Sequence, residues 1–359
     1  MSVNSKKPKL LQEELMSVEE FKQHYSWLKQ ELLTISSNEY ELPQVSCARI
    51  GELLDYSVPG GKVNRGLTIV HVGETLLSGQ LSLEQRRQLA VLGWTIEWMQ
   101  ASFLVSDDMM DSSLTRRGHP CWYLVKGVGM AAVNDGLLLL TQVELILDRF
   151  LSEHHLMNKM RKCLLETIYQ TELGQLLDLT TQPPGATEVD LDLYTIARYQ
   201  QIVKYKTAFY SFLAPVKLGL LFANFNDELV FAQLQDILLP MGEYFQIQDD
   251  VLDCYGAPEV IGKIGTDIED AKCSWLVVQA LDRVNTEQRQ IIKDFYGKKD
   301  SNSVAKIKQV FAELNLYEVF QEYEDHIVKE LKRKIALLEK IEIQQICLGL
   351  LAKIYKREK

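Results

Sequence analysis

The sequence is poor in the residues that interrupt helices, with 9 prolines and 20 glycines among 359 residues. It shows no convincing alternation of apolar and polar residues and no fixed-period repeat, which are typical of half-buried strands and of repeat proteins. The chain is 47% hydrophobic, so it can bury a large core. Because no proline- or glycine-rich linker divides it, we predict one all-α domain over residues 16–359, after a loose tail over residues 1–15.

Cysteine and histidine are too scattered to form the common catalytic or structural sites. The six cysteines include no C-x-x-C pair, so neither a zinc site nor a disulfide framework is predicted. The six histidines lack ligand spacing, and no Ser–His–Asp array is recognisable. Scattered thiols are normally reduced in the cytosol, so we expect a cytoplasmic protein.

Positive charge and long apolar runs are also scarce. The net charge of -10 argues against a general binder of nucleic acid or of anionic membranes. No apolar run approaches the roughly 18 residues of a membrane span, so we expect no transmembrane segment. The N-terminal residues lack the apolar core of a signal peptide.

Helical periodicity covers most of the chain. Ser17 and Ser82 are each followed by a glutamate or glutamine three residues later, which predicts capped helix starts. Pro215 is expected to kink or divide a helical segment over residues 191–223. The other helices are predicted at residues 67–77, 82–111, 131–147, 159–180 and 229–254, with two or three more in 271–357.

An acidic pentad, Asp107-Asp-Met-Met-Asp111, ends the second of these helices. Asp107 and Asp111 are four residues apart and therefore share one helix face. They continue an apolar stripe formed by Leu92, Ile96, Met99 and Phe103. Desolvated carboxylates are costly without compensating cations, so the pattern indicates a divalent-metal site.

A second pentad, Asp249-Asp-Val-Leu-Asp253, repeats the pattern at the end of another apolar stripe. If the two helices face each other, up to six carboxylates converge. Mg²⁺ prefers oxygen ligands and is usually shared with substrate phosphates. The candidate metal ligands are Asp107, Asp108, Asp111, Asp249, Asp250 and Asp253.

Basic residues flank both pentads and a glycine-rich loop, Gly60-Gly-Lys-Val-Asn-Arg-Gly66. This loop lacks the P-loop spacing, so a nucleoside triphosphatase is not indicated. Arginine forks and lysine ammonium groups both suit diphosphate oxygens. Together with an apolar lining from several phenylalanines, including Phe103, the pattern indicates metal-assisted departure of a diphosphate, which leaves a carbocation.

The chain resembles the eukaryotic farnesyl diphosphate synthases, a family of short-chain trans-prenyltransferases. Motifs in family order carry the resemblance over nearly the whole chain beyond the first ~50 residues. They are Gly61-Lys62-x-x-Arg65, Asp107–Gly118, Lys204–Ser211, Gly242–Asp250, Gly262–Asp267, Lys272–Trp275 and Lys353–Lys356.

The resemblance implies an isoprenoid-synthase-type bundle of antiparallel helices around a central cavity. It also implies a homodimer, three Mg²⁺ ions per active site, with Mn²⁺ as a possible substitute, and head-to-tail condensation of prenyl diphosphates. Isopentenyl diphosphate would condense first with dimethylallyl diphosphate and then with geranyl diphosphate to give farnesyl diphosphate.

The resemblance also assigns roles to individual residues. Asp107, Asp111 and Asp249 would ligate the metal ions, with Asp108, Asp250, Asp253 and Asp267 in supporting positions. The allylic diphosphate would be bound by Arg116, Lys206, Lys263 and Lys272. Isopentenyl diphosphate would be bound by Lys62, Arg65, Gln100 and Arg117, assisted by the basic C-terminus. The forming cation would be stabilised at Lys206, Thr207 and Gln246.

One position departs from the family pattern. Animal farnesyl synthases commonly carry two phenylalanines at the floor of the tail pocket, and this chain has Ser102 and Phe103. Either another bulky residue fills the gap or the pocket is deeper or wider. The second case would permit a longer product such as geranylgeranyl diphosphate, or larger alkyl-branched allylic substrates, and a geranyl diphosphate synthase is a further alternative.

Two other functions are weighed against prenyl transfer. A terpene cyclase usually carries a different second acidic motif and lacks the isopentenyl-binding residues, so Asp253 and the loop at Gly61–Arg65 oppose it. A noncatalytic partner subunit or lipid-binding module would be expected to lose metal ligands, whereas all six carboxylates are present.

Overall fold

The structure, a computed structural model, describes residues 15–77, 81–183, 188–257 and 265–356. Over these residues nearly all regular secondary structure is helical, which confirms the all-α prediction. The predicted N-terminal tail lies outside the described residues, apart from its last residue.

The helices vary in length from two turns to about eight. The first six are α1 (Val18–Asn38), α2 (Gln44–Ser57), α3 (Asn64–Leu76), α4 (Leu83–Met110), α5 (Ala132–Leu151) and α6 (Met157–Thr181). The next are α7 (Ile196–Val203), a π-helix (Lys204–Leu213), α8 (Ala214–Phe222) and α9 (Glu228–Tyr255). The last are α10 (Trp275–Leu281), α11 (Thr286–Phe295), α12 (Ser301–Glu313), α13 (Leu316–Ile335) and α14 (Ile341–Ile354).

A small antiparallel hairpin interrupts the helices between α4 and α5. Its strands are β1 (Thr115–Arg116) and β2 (His119–Pro120), and Arg116 pairs with His119. The two turn residues, Arg117 and Gly118, have φ values of 55° and 79°. Positive φ at both central residues is the backbone of a type I′ turn, so the hairpin places the non-glycine Arg117 in a left-handed conformation.

Two helix starts agree with the caps predicted from the sequence. The Ser17 hydroxyl accepts a hydrogen bond from the Glu20 amide at 3.1 Å. Ser82 and Gln85 form reciprocal bonds of 3.2 and 3.0 Å between side chain and backbone. Each cap satisfies amides that the first helical turn leaves without partners.

The chain divides into two compact units, each built from three separate segments. The first contains Met1–Ser106, Gly127–Leu164 and Pro215–Asn226, and the second contains Asp107–Lys126, Leu165–Ala214 and Asp227–Lys359. In the first unit the rings of Phe21 and Trp94 stack at 4.6 Å. The prediction of a single domain over residues 16–359 stays a prediction.

Among the residues that the structure describes, one helical stretch, Gly129–Leu151, is apolar enough and long enough to cross a membrane, with a mean hydropathy of 1.4. The expectation that the chain has no transmembrane segment stays a prediction. Asp135, Glu144 and Asp148 interrupt the stretch, so it is not a continuous apolar run. Length and hydropathy alone are weak evidence for a membrane span, since the core helix of a soluble protein can have the same length and hydropathy. Asp135 is buried and pairs with Arg49 at 2.5 Å.

The π-helix lies in the second unit, tightly packed between two glycines. A Cβ atom on Gly174 of α6 would stand 2.1 Å from the backbone nitrogen of Lys206. A Cβ atom on Gly242 of α9 would stand 2.6 Å from the Cβ of Ala208. Both helices therefore approach the π-helix more closely than a side chain would allow. The return to α-helical bonding at Ala214 comes just before Pro215, a residue suited to a first helical turn.

Candidate active site

A cavity of about 730 Å³ in the second unit collects most of the predicted acidic and basic residues. Four of the six predicted metal ligands line it, namely Asp107, Asp111, Asp250 and Asp253. Arg116, Lys206, Thr207, Gln246 and Lys272 also line it. Asp108 is buried under Arg116, and Asp249 is half-buried on α9.

Two lysines join three carboxylates at one wall of this cavity. Lys206 Nζ lies 3.1 Å from Asp107 Oδ1 and 2.6 Å from Asp178 Oδ2. Lys272 Nζ lies 2.6 Å from Asp111 Oδ2 and 3.4 Å from the same Asp178 oxygen. One oxygen of Asp178 therefore holds both ammonium groups in the lining of the cavity.

The electrostatics of this cluster follow from burial and from the alternation of charge. Burial alone would raise the pKa of Asp178, but Lys206 and Lys272 outweigh it and lower that pKa. The pKa of Asp107 is lowered in the same way, against the effect of burial. Burial opposes charge on Lys206 too, yet Asp107 and Asp178 raise its pKa. The lysines and these acids are therefore charged together at neutral pH.

Asp178 was missed in the sequence analysis, although a signal for it existed. On α6 the buried positions Met160, Leu164, Thr167, Thr171 and Gly174 are spaced 4, 3, 4 and 3. Asp178 continues this stripe by another four residues. The same argument had identified the first pentad, and the close contact at Gly174 brings this face of α6 against the π-helix.

A second set of contacts fixes polar oxygens inside the cavity. The Thr207 hydroxyl donates to Gln246 Oε1 at 3.2 Å, and Gln246 Nε2 donates to Asp250 Oδ1 at 3.0 Å. The other oxygen of Asp250 accepts from the Trp275 amide at 2.7 Å. Burial raises the pKa of Asp250 to about 7, and the Trp275 and Gln246 donors oppose this shift. Asp253 Oδ1 accepts from the Asp267 amide at 3.0 Å.

The cavity wall has the chemistry of a hard-cation site. Among the residues that the structure describes, no three His, Cys, Asp or Glu side chains form a ready-made ligand set. The carboxylates of Asp107, Asp111 and Asp178 nevertheless gather two ammonium groups between them. Oxygen donors that already collect cations fit Mg²⁺ or Mn²⁺.

The remaining predicted residues lie elsewhere. In the first unit, the structure brings Arg65 and Gln100 together. With the Gln100 amide oriented to satisfy its neighbours, its oxygen accepts a hydrogen bond from Arg65 Nη1 at 2.8 Å. Lys62 is exposed in the loop before α3. In the second unit, Arg117 is exposed at the hairpin tip. Lys263 and the C-terminal Arg357 and Lys359 lie outside the described residues.

The pocket-floor position is occupied within the first unit. Ser102 is 3% exposed, and its hydroxyl donates to the Gly136 carbonyl of α5 at 2.8 Å. Phe103 is partly exposed. The Ser102 side chain is therefore held by α5, and its hydroxyl has the partner that burial of a polar group requires.

Comparison with known proteins places this helical, acid-and-base-lined site in a defined class. The family model described as polyprenyl synthetase matches residues 47–314. The farnesyl pyrophosphate synthase of Artemisia annua is 47% identical over 336 residues, which cover 93% of this chain and 96% of that protein. The farnesyl pyrophosphate synthase of Saccharomyces cerevisiae is 44% identical over 92% of this chain and 94% of that protein. The T. brucei farnesyl diphosphate synthase complexed with risedronate superimposes with a TM-score of 0.88 at 34% identity, over 96% of this chain and 100% of that chain.

The class is that of the all-α isoprenoid synthases, which confirms the predicted fold. The chain belongs to the polyprenyl synthetase family. The resemblance inferred from the acidic pentads and basic motifs is likewise confirmed, and the chain is a prenyltransferase of isoprenoid biosynthesis.

Proposed function

We propose that this protein is a farnesyl diphosphate synthase. It condenses isopentenyl diphosphate with dimethylallyl diphosphate and then with geranyl diphosphate. One observation carries the proposal. The cluster Asp107–Lys206–Asp178–Lys272–Asp111 lines a cavity in a chain that is 47% and 44% identical to a plant and a yeast farnesyl synthase. Such a cluster supplies both the acids that attract metal and the cations that hold a diphosphate.

The residues around the cavity divide the work between binding and stabilisation of charge. Arg116, Lys206 and Lys272 bind the allylic diphosphate as it gains negative charge on departure. Thr207 and Gln246 hold their oxygens in fixed positions through the bonds to each other and to Asp250. Oxygens held in this way stabilise the allylic cation without reorganising as it forms.

Asp107, Asp111 and Asp249 would hold Mg²⁺, with Asp250 and Asp253 in supporting positions. When bound, the metal ions supply Lewis-acid charge that stabilises the leaving diphosphate. No side chain is required as the base of the last step, because the departed diphosphate, retained by Arg116, Lys206 and Lys272, accepts the proton. Binding of isopentenyl diphosphate by Lys62, Arg65, Gln100 and Arg117 rests on family membership.

The proposal is tested by incubating the purified protein with Mg²⁺, isopentenyl diphosphate and dimethylallyl diphosphate. We expect farnesyl diphosphate as the main product, with geranyl diphosphate as an intermediate. Chelation with EDTA should abolish the reaction, and a double variant Asp107→Ala/Asp111→Ala serves as the inactive control. Failure of the wild-type protein to form any allylic product would refute the proposal.

The alternatives drawn from Ser102 are not favoured. The plant and yeast relatives described above, at 47% and 44% identity, are named as farnesyl synthases rather than as geranyl or geranylgeranyl synthases, cyclases or noncatalytic subunits. The bond from Ser102 to Gly136 also gives this serine a packing role within the first unit. Product analysis in the assay above distinguishes the chain lengths directly.

We also propose that the protein is a homodimer. Helix α6 exposes Leu165, Tyr169 and Leu176 by 54%, 62% and 55%, and these residues share one helix face. An exposed apolar stripe of this kind is typical of a protein–protein contact. Light scattering coupled to gel filtration should give twice the monomer mass, and Tyr169→Glu should reduce it to that of a monomer.

The cytoplasm is the proposed location. All six cysteines are free, and five of them are buried, which suits a reducing compartment. Imaging of the full chain fused to a fluorescent protein tests this, and a membrane-bound or organellar signal would contradict it.

A further inference from the structure

The segment that presents Lys272 to the cavity lacks regular secondary structure. Residues 267–274 form turns and irregular backbone immediately before α10. Ala271, next to Lys272, has a φ of 51°, in the left-handed region that residues with a Cβ atom rarely adopt. Such a conformation persists only where surrounding groups hold it in place, so this segment depends on contacts from other parts of the chain.

Two buried tyrosines hold successive carbonyl groups of this segment. The Tyr194 hydroxyl donates to the Ala271 carbonyl at 2.5 Å, and the Tyr296 hydroxyl donates to the Lys272 carbonyl at 2.6 Å. Each tyrosine is 3% exposed, and the two rings meet edge to face with their centroids 6.1 Å apart. The hydroxyls come from different parts of the chain, before α7 and after α11, and converge on one turn.

The backbone after α11 adds a further contact to the same segment. The Gly297 amide donates to the Ile268 carbonyl at 2.9 Å. Gly297 has a φ of 81°, and a Cβ atom on it would stand 3.0 Å from the Cβ of Ala271. The chain after α11 therefore lies directly against the Lys272 segment and bonds to it through both Tyr296 and Gly297.

At its other end, the Lys272 side chain reaches the acids of the cavity wall. Its ammonium group lies 2.6 Å from Asp111 and 3.4 Å from Asp178. Burial raises the pKa of both tyrosines, so each hydroxyl keeps its proton and acts as a donor at neutral pH. A lysine side chain is flexible, so fixing its backbone narrows the range of positions that its ammonium group can reach.

We propose that Tyr194 and Tyr296 are positioning residues that set where the Lys272 ammonium group meets a diphosphate. They act through the Ala271 and Lys272 carbonyls and not by contact with substrate, because neither tyrosine lines the cavity. The proposal deepens the proposed function, on which it rests, since Lys272 is assigned there to the allylic diphosphate. A displacement of about 1 Å in a binding group is enough to weaken a site of this kind.

The test removes one hydroxyl at a time from three buried tyrosines. Calorimetry measures the binding of inorganic diphosphate with Mg²⁺ to the wild-type protein, Tyr194→Phe, Tyr296→Phe and the matched control Tyr25→Phe. Tyr25 is buried in the first unit and donates to Asp55 at 3.1 Å. We expect Kd to rise about tenfold in Tyr194→Phe and Tyr296→Phe and to stay unchanged in the control. Steady-state kinetics should show a higher KM for dimethylallyl diphosphate and an unchanged KM for isopentenyl diphosphate.

A second background separates positioning from a general loss of structure. Lys272→Gln removes the positioned charge but leaves Arg116 and Lys206 in the cavity lining, so weaker diphosphate binding remains measurable. In this background Tyr194→Phe and Tyr296→Phe should cause no further loss of affinity. Equal losses with and without Lys272, or no loss in the wild-type background, would overturn the proposal. Tyr194→Phe decides the question alone if Tyr296→Phe does not fold. Because the ligand is inorganic diphosphate, these outcomes are distinct from a failure to make farnesyl diphosphate.

Discussion

The two acidic pentads have the same spacing but differ in what balances their charge. In the first, Asp107 and Asp111 stand at the end of α4 and are paired with the ammonium groups of Lys206 and Lys272. In the second, Asp250 and Asp253 lie within α9 and accept hydrogen bonds from backbone amides of Trp275 and Asp267. The first pentad is therefore a cluster of exchangeable ion pairs, and the second is anchored to the backbone of the segment that follows it.

Carboxylates with the same spacing in the two pentads therefore have different roles. Helical geometry sets which carboxylates share a face, but the partners come from distant parts of the chain. The lysines lower the pKa of Asp107 against the effect of burial. Burial instead raises the pKa of Asp250 to about 7, although the Trp275 and Gln246 donors oppose this shift. Substitutions at matched positions of the two pentads test whether their roles differ.

The largest effect is expected at the first pentad. Asp107→Ala removes a carboxylate that meets Lys206 in the cavity lining, and we expect kcat to fall by about 10³-fold. Asp253→Ala removes one acceptor for a backbone amide, so a loss of about tenfold is expected. Steady-state kinetics on both variants decide the point, and equal losses would contradict the distinction between the pentads.

Asp178→Asn should have the next largest effect, a loss of about 10–100-fold in kcat/KM for the allylic substrate. The substitution removes the charge that holds both Lys206 and Lys272, while keeping the shape of the side chain. Glu172→Gln, on the exposed face of the same helix, is the matched control. Unchanged kinetics in Asp178→Asn would show that the two lysines are positioned without it.

The position five residues before each pentad provides a third comparison. Ser102→Phe places a large ring where the hydroxyl now meets the Gly136 carbonyl, and overpacking should cost about 1–3 kcal/mol. If Ser102 sets pocket depth, product analysis should show more geranyl and less farnesyl diphosphate. An unchanged product distribution in a folded variant would remove Ser102 from that role.

The matched substitution Tyr244→Phe should have the smallest functional effect. Tyr244 is fully buried and donates to Glu324 Oε1 at 2.6 Å. Losing a buried hydrogen bond should lower the free energy of unfolding by about 1–3 kcal/mol. Chemical denaturation measures this loss, and product chain length should stay as in the wild type. A shift in product length would instead tie this second position to the substrate pocket.

The sequence predicted the residue types of the site better than their partners. Periodicity identified both pentads because the acids continue apolar stripes, and the same rule would have identified Asp178 if applied to α6. The pairing of Asp108 with Arg116 depends on a hairpin whose two positive φ values fall on Arg117 and Gly118. The sequence gave no sign of this hairpin, because its strands are two residues long and one of its two turn residues is not a glycine.

The π-helix was beyond sequence reasoning for a different reason. Its bonds run from residue i to i−5, and a short stretch of this kind leaves the apolar spacing close to that of an ordinary helix. Only the packing against Gly174 and Gly242 shows why the wider turn is held there. The all-α class, in contrast, followed from the scarcity of helix breakers.

The π-helix has a consequence for insertions and deletions. Each residue added to or removed from an α-helix rotates everything beyond it by about 100°. A one-residue deletion between Lys204 and Leu213 would therefore turn the Lys206 and Thr207 side chains away from α6 and α9 relative to the helix that follows. The segment is thus constrained in length as well as in composition, and single substitutions should be accepted there more readily than any change in the number of residues.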